Sequence, residues 1–377
     1  MDFKISIIMA IHNVEEYLDE AIDSLKCQTI GFENIEVLMI DDGSTDNSWN
    51  KMLDFKNLFN NIKLFQRKEK SGACGAPRNI GIENATGEYL MFLDPDDKLV
   101  SNACELLISA AEKYNSDLVI GMYEQFNSTT RWLPDIFNHR LSSKLVNVKV
   151  EDYPNLMLAP PAVPTKLHRT KMIQDNHIRF PEYIIGEDAS FAAEVLFQSE
   201  KITFIPKVVY EYRAREDSVT QDVKLKFFRD YNITRKIILE IYERFNRMNY
   251  FEIRYIADLR YFYNQLNCMS ENNQEEKLEA LKELQWFAKL YSEHGLIEGD
   301  LFFRLLTIQI GQGEYEEALK TLKHMNEVYL IPSKNAVQKE THYYKSKCDE
   351  ILLSRSWKIT KPLRSAGYLC RRIVKRR

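Results

Sequence analysis

Two apolar runs of strand length in the first hundred residues stop on paired aspartates, and this repeated ending limits the folds open to the chain. Residues 35–40 close on Asp41-Asp42-Gly43-Ser44-Thr45-Asp46. Residues 88–93, opened by the turn signal Thr86-Gly87, close on Asp94-Pro95-Asp96-Asp97. Like charges a few ångströms apart repel unless a cation stands between them. Hard oxygen donors in a tight turn suit Mg²⁺ or Mn²⁺ held jointly with substrate phosphates. Taken alone, the second cluster also reads as a solvated acidic turn.

The flanking segments bear on that choice. Residues 4–11 and 62–66 read as two further strands, and 14–29 as an amphipathic helix. Another helix is predicted after Asp46, with Ser44 or Thr45 as its N-cap and Asp46 in its first turn. Strands alternating with helices imply βαβ units and a mostly parallel sheet, whose ligands bind at the carboxyl ends of the strands. Asp41/Asp42 and Asp94/Asp96 are therefore expected to meet in one crevice. Between the third and fourth strands, Ser71-Gly72-Ala73-Cys74-Gly75-Ala76-Pro77-Arg78-Asn79 reads as a small-residue loop. It opens a short helix to about Ala85, with Pro77 at the first helical position. Backbone N–H groups at that helix start, with Arg78, would make a diphosphate cradle. Neither the G-x-G-x-x-G dinucleotide pattern nor a Walker loop occurs.

A chain of 377 residues with 45% hydrophobic and 28% charged residues is globular and long enough for two domains or more. Its six cysteines are scattered without framework or C-x-x-C spacing, which points to a reducing compartment and away from structural zinc. No stretch has the apolar length of a membrane span, and the N-terminal run turns polar too soon for a signal peptide. The expectation is a cytoplasmic protein. Charge is uneven along it. Residues 355–377 hold nine Lys/Arg and no Asp/Glu, which leaves −13 on residues 1–354 out of a net −4. Such a sign split implies a partner for the tail.

Further along, Ile184-Ile185-Gly186-Glu187-Asp188 puts two carboxylates at the start of a helix running to Ser199. That placement by itself also suits plain complementarity to the helix dipole. Residues 208–220 read as a strand entering a polar loop, on which Arg213 and Arg215 alternate and so project to one side.

Together these stretches resemble an inverting family 2 glycosyltransferase of GT-A fold, of the bacterial cell-envelope type. The matching pieces are SIIMAIHNVEEYL, IEVLMIDDGSTDNS, GAPRNIGIENATGEYLMFLDPDD, IIGEDASFAAEVLF and VVYEYRAREDSVTQ, in the family's order over residues 3–220. The resemblance implies a nucleotide-diphosphate sugar donor, usually a UDP-sugar. By the same resemblance Ala10 and His12 border the base, Asp42 contacts uracil, and Arg78 lies near the nucleotide. Asp94 holds the ribose, and Asp96 binds the Mn²⁺ or Mg²⁺ that bridges the diphosphate, with Asp94 and Asp97 beside it. Asp188 is the general base and Glu187 its support, while Arg213 assists the leaving diphosphate and Arg215 lies on the donor. His12 stands where tyrosine is usual, Ala10 where proline is usual, and Lys70-Ser71 where asparagine is often found. The histidine that related enzymes often carry as an extra metal ligand is missing between Val208 and Gln221.

The chemistry asks for such a set. Breaking a sugar–diphosphate bond leaves negative charge on the leaving group, which a divalent cation and Arg donors neutralise. The acceptor hydroxyl needs a carboxylate to take its proton. Direct in-line attack inverts the anomeric centre.

Residues 223–349 read as helical, long in charged and apolar periodicity and nearly free of proline. Residues 300–320 resemble one tetratricopeptide-type helix pair, with Gly313, Tyr315, Ala318 and Leu319 well placed, but one pair cannot bury its own face. Tyr255, Tyr261, Phe262 and Tyr263 read as core. In the tail, Pro362 opens a helix on which Leu363, Ala366, Leu369 and Ile373 share a face flanked by basic residues, a pattern that suits an anionic membrane surface. Its start, Ser356-Trp357-Lys358-Ile359-Thr360, resembles a tail seen on bacterial envelope glycosyltransferases.

The expected architecture is α/β. A Rossmann-like GT-A domain covers 1–221, with a nucleotide-binding half 1–115 and an acceptor half 116–221. An all-α domain over 222–353 and the basic tail 354–377 follow. The expected activity is transfer of a hexosyl or N-acetylhexosaminyl group to a cell-surface glycan, a teichoic-acid-type polymer, a lipid-linked acceptor or a glycoprotein. The expected location is the inner face of the plasma membrane, with no nucleic-acid partner and a helical half able to pair two chains. Two rivals stand beside it: a non-catalytic scaffold with a degenerate transferase domain, and a nucleotidyltransferase.

Overall fold

The computed structural model describes residues 3–134, 136, 137, 141–214, 224–269, 273–295 and 301–330, without the side chains of 326–330. The chain divides into two compact units: Met1–Ser218 with Ile233–Ile253, and Val219–Asn232 with Arg254–Arg377.

The first unit runs β1 (Ile5–Ile11), α1 (Leu18–Lys26), β2 (Ile35–Asp42), α2 (Ser48–Leu58), β3 (Ile62–Arg67), α3 (Gly75–Asn84), β4 (Tyr89–Phe92) and β5 (Lys98–Leu99). It continues with α4 (Ala103–Tyr114), β6 (Leu118–Phe126), β7 (Arg131–Trp132), β8 (Leu145–Val148), β9 (Lys166–Arg169), α5 (Thr170–Asp175), α6 (Glu187–Gln198) and β10 (Ile202–Arg213). The strands form one mixed sheet in the order β3-β2-β1-β4-β9-β6-β10-β5, with β7 on β6 and β8 on β10. The first four are parallel, as the alternation of strands and helices predicts. β9 then joins β4 and β6 antiparallel, and β10 runs parallel to β6.

β2 is buried at every position and β1 at all but Ala10, the continuous apolar run of strands covered on both faces. Register fixes where the carboxylates fall. Ile8 lies opposite Leu38 on one side and Phe92 on the other, so the tips carrying Asp42 and Asp94 flank the end of β1. α3 rests directly on β1, for a Cβ at Gly81 would stand 2.3 Å from Cγ2 of Ile8. A buried carboxylate locks this half together. Glu36 accepts from Ser6 Oγ at 2.5 Å, Lys63 Nζ at 2.5 Å, and the N–H and Oγ1 of Thr86 at 2.8 Å each. It thereby ties β1, β3 and the turn into β4.

Two local expectations are corrected. The N-cap of α2 is Asn47, not Ser44 or Thr45. Their hydroxyls instead serve Asn13, which turns the chain at φ +51 after β1. Asp46 does act at the helix start, accepting from Ser48 N–H at 3.0 Å. Pro77 is the third residue of α3 rather than the first, because the helix already begins at Gly75.

The second unit is helical over its described residues. α7 (Leu225–Arg244) is divided between the two units, and α8 (Phe251–Cys268), α9 (Gln274–Glu293), α10 (Leu301–Gln312) and α11 (Tyr315–Leu330) follow. α10 and α11 are the expected helix pair, joined through Gly313 at φ +82. Tyr255, Phe262 and Tyr263 are buried core residues, as expected, and Tyr263 donates to Thr307 Oγ1 at 2.8 Å. Among the described residues no helix is long and apolar enough to cross a membrane. Arg215 and the basic tail, including Trp357 and Pro362, lie outside the described residues.

Candidate active site

One guanidinium gathers the strand-tip and helix-start carboxylates. Arg78, in the first turns of α3, reaches Asp94 with Nη2 at 2.8 Å, and with Nη1 reaches Asp188 at 2.5 Å and Glu187 at 3.3 Å. Its flat face lies over the rings of Phe180 and Phe92, at 5.3 and 5.9 Å. α6 presents its pair because Gly186, at φ +88, turns the chain into the helix in a conformation that a larger residue rarely adopts.

Three carboxylates on one cation leave a net negative charge in a mostly buried site. Burial works against the Arg78 charge, but Asp188 and Asp94 outweigh it and hold the guanidinium well above its ordinary value. Burial, then the charge of Asp188, push Glu187 up to about 7. Burial also holds Asp188 above its usual range, opposed by Arg78 and by Lys166. Lys166 is a buried lysine that no motif singled out. Its ammonium donates to the carbonyls of Pro160 at 2.9 Å and Ala162 at 2.5 Å. A lysine closing the apolar run 156–164, with only Thr165 between, was the signal available in the sequence.

The expected base-side residues form a second group around the end of β2. Asp42 is buried and bonded to Arg67 Nη1 at 2.6 Å and to the N–H and Oγ of Ser71 at 2.9 and 2.6 Å. Nδ1 of His12 lies 3.0 Å from the Asp42 carbonyl oxygen, and Ala10 sits beside it on β1, half-buried. Arg67 was not anticipated as a member of this group, whereas Ser71 holds part of the position where asparagine is often found.

In the turn Asp94–Asp97 the carboxylates of Asp94 and Asp97 have protein partners. Among the described residues no cluster of three or more His, Cys, Asp or Glu is arranged for a metal ion. Asp94 spends an oxygen on Arg78. Asp97 is turned into the protein, where it accepts from Tyr210 Oη at 2.7 Å and from the Arg213 N–H at 2.7 Å. Burial and the charges of Asp96 and Asp94 push Asp97 up to about 8. Tyr210 also accepts the Asp94 N–H at 3.3 Å, so one hydroxyl on β10 bridges both ends of the turn. Asp96, like Asp94, is a half-buried carboxylate. One hard carboxylate beside a net negative cluster fits Mg²⁺ or Mn²⁺ when substrate phosphates complete the shell.

Arg213 is placed as a clamp on this turn. Its Nε donates to the Asp96 carbonyl at 2.8 Å and its Nη2 to Glu20 of α1 at 2.8 Å, with the guanidinium over Phe126 at 4.8 Å. Asp94, Asp188, Glu187 and Arg78 are thus brought together, and Arg213 joins them through the Asp94–Asp97 turn.

Known proteins resemble the chain in sequence and in fold. Residues 6–159 match the model of glycosyl transferase family 2. The minor teichoic acid biosynthesis protein GgaB of Bacillus subtilis is 33% identical over 219 residues, 57% of this chain and 23% of that protein. A poly(ribitol-phosphate) beta-glucosyltransferase of Bacillus spizizenii is 31% identical over 215 residues, 57% of this chain and 33% of that protein. The chain therefore spans only a third or less of the length of these curated relatives. In structure it is similar to Staphylococcus aureus TarS 1–349 in complex with UDP-GlcNAc, with a TM-score of 0.67 at 21% identity over 86% of this chain and 92% of that one. With aspartates at the tips of β2 and β4 on either side of β1, residues 6–159 resemble a family 2 glycosyltransferase domain, on the fold that TarS 1–349 shares.

Proposed function

We propose that the chain transfers a sugar from a UDP-sugar to a polyol-phosphate polymer of the teichoic-acid type, with inversion at the anomeric carbon. The supporting observation is the single buried guanidinium that joins Asp94, on the nucleotide side, to Glu187 and Asp188. A donor laid across the strand tips would bring its anomeric carbon near Asp188. Ala10, His12 and Asp42 would border the base, and Asp94 the ribose. Asp188 takes the proton from the acceptor hydroxyl as its oxygen attacks. Glu187 and Arg78 hold Asp188 in place. Mn²⁺ or Mg²⁺, held by Asp96 with the diphosphate oxygens, would supply positive charge to the leaving UDP. Arg213 keeps that turn in position, and Arg215 lies further along the same segment. The polymer choice rests on GgaB and the poly(ribitol-phosphate) glucosyltransferase among the relatives.

The test is UDP release from UDP-GlcNAc and UDP-glucose with Mn²⁺, with and without a synthetic ribitol-phosphate oligomer. Acceptor-stimulated release from either donor supports the reading and separates hexosyl from N-acetylhexosaminyl transfer. No release and no thermal shift with any UDP-sugar would leave the scaffold reading in its place.

The coupled pair sets a pH dependence. Asp188 must be ionised to act, and Asp94, Arg78 and Lys166 face it. With Glu187 pushed up to about 7, kcat/KM should rise through an acid limb near neutral pH. Glu187→Gln removes one negative charge from the cluster, so the remaining carboxylates ionise more easily and the limb moves to lower pH. A pH profile of the variant that keeps the wild-type limb would remove Glu187 from the titrating pair.

The basic segment 355–377 would hold the enzyme on the inner face of an anionic membrane. Deleting it should release the protein from phosphatidylglycerol liposomes in a flotation assay and leave transfer to a soluble acceptor intact. Liposome binding that survives the deletion assigns the anchor elsewhere.

A further inference from the structure

The turn that follows β4 is held from β10. Asp97 closes the turn locally, its N–H donating to the Asp94 carbonyl at 3.0 Å. The other bonds come from the strand. Tyr210 Oη donates to Asp97 Oδ2 at 2.7 Å and accepts the Asp94 N–H at 3.3 Å. The Arg213 N–H donates to Asp97 Oδ1 at 2.7 Å, and Arg213 Nε donates to the Asp96 carbonyl at 2.8 Å. β5, which leaves the turn, pairs antiparallel with the same strand, Leu99 opposite Tyr210. Asp97 and Tyr210 are each only 2% exposed.

Packing explains the ring of Tyr210 but not its hydroxyl, nor a carboxylate beside it. Burying both groups costs free energy that a phenylalanine facing an apolar side chain would not. What the pair does is fix backbone. Three carboxylates within four residues repel one another, and a turn left to itself would spread them. Both Asp97 oxygens are engaged inside the protein, and the bonds from Tyr210 and Arg213 reach Asp94, Asp96 and Asp97 together. The turn is therefore set before any diphosphate arrives. A site fixed in advance binds more tightly, and groups behind a metal ligand commonly carry about 10- to 100-fold in metal affinity.

We infer that Asp97 and Tyr210 are positioning residues: they hold the turn that presents the Asp96 carboxylate to Mn²⁺ and the donor diphosphate, and Asp97 is not itself a ligand. The inference rests on the transfer reading above.

The experiment uses the full chain with UDP and Mn²⁺. Loss of the free-ion paramagnetic resonance signal reads Mn²⁺ binding at saturating UDP, and calorimetry in EDTA reads UDP binding without metal. Tyr210→Phe and Asp97→Ala should each weaken Mn²⁺ binding about tenfold. Their metal-free UDP affinity should stay at the wild-type value, which shows that the fold survives. Asp97→Asn keeps both partners, its oxygen accepting the Arg213 N–H and its amide donating to Tyr210 Oη. It should therefore retain wild-type Mn²⁺ affinity, whereas Asp96→Asn should lose it. Mn²⁺ binding as weak in Asp97→Asn as in Asp96→Asn would make Asp97 a ligand and overturn the proposal. Wild-type Mn²⁺ affinity in Tyr210→Phe overturns it too. So does an equal loss of metal-free UDP binding, which would make the pair a support of the fold alone. A wild-type chain that binds UDP but no Mn²⁺ takes the cation out of the transfer reading. One that binds neither removes that reading itself, and this role falls in both cases.

Discussion

Asp188→Asn is expected to bind UDP as the wild type does and to lose transfer by roughly 10²- to 10⁴-fold, the usual worth of a positioned general base. The substitution is nearly isosteric, and its carboxamide oxygen can still accept from Arg78 across the present 2.5 Å contact. It also takes one negative charge out of a site where three carboxylates share one cation, so the fold should not suffer. The loss then falls on proton removal alone. Thermal shift with UDP and initial rates with the oligomer acceptor measure the two halves separately. Glu187 is the natural understudy. Asp188 is one of the charges that push it up to about 7, so in the variant Glu187 ionises more easily. A residual rate that disappears in the Glu187→Gln/Asp188→Asn double variant would belong to it. Full turnover in Asp188→Asn would move the base elsewhere.

The same measurement separates the rival readings. A scaffold with a degenerate domain would bind no donor before or after the change. A nucleotidyltransferase would release pyrophosphate from a nucleoside triphosphate, and Asp188 would have no acceptor hydroxyl to deprotonate. The variant that binds UDP yet fails to transfer is an outcome specific to the transferase.

How much of this was legible in the sequence follows the range of the forces involved. The strands, their apolar continuity and the aspartates at their tips are local features, and residues 35–42 and 89–97 could be read directly. The helix start at Glu187 was equally legible, since a Gly followed by two acids is a short-range signal. What escaped was pairing at long separation. Nothing near Asp97 says that it will turn away from its neighbours toward Tyr210, 113 residues on, or that Arg213 will lock the turn from β10. Arg78 looked like a phosphate donor because it stood at a helix start. Its burial among Asp94, Glu187 and Asp188 depends on α3 lying flat on β1, which Gly81 permits. Ser44 and Thr45 were read as caps on local propensity, and Asn13 claimed them across 31 and 32 residues. The GT-A resemblance supplied roles that no local rule could have given.

Arg78→Met should be the most destabilising change at the site, by about 3–5 kcal/mol, because it strands buried carboxylates without their cation. For a unit of this size that is a fall in melting temperature of about 10 °C. The sign of its pH dependence distinguishes lost charge from lost packing. Without Arg78 the folded carboxylates hold their protons to higher pH than they do in the unfolded chain. Folding then takes up protons, and stability falls as pH rises through the window between the two values. In the wild type Glu187 already behaves this way up to about 7. The variant should therefore lose more at pH 8 than at pH 6, whereas a pure packing defect would be the same at both. Arg78→Lys restores the charge but not the fork, since one ammonium cannot span the separate contacts made by Nη1 and Nη2. It should recover only part of the stability. Adding Asp188→Asn to Arg78→Met should recover another part, because the double variant strands one carboxylate fewer, and the shortfall from additivity measures their coupling. If Arg78→Met melts with the wild type at both pH values, the three carboxylates do not depend on that guanidinium. The bridge from the nucleotide side to the base would then have to be sought in some other residue.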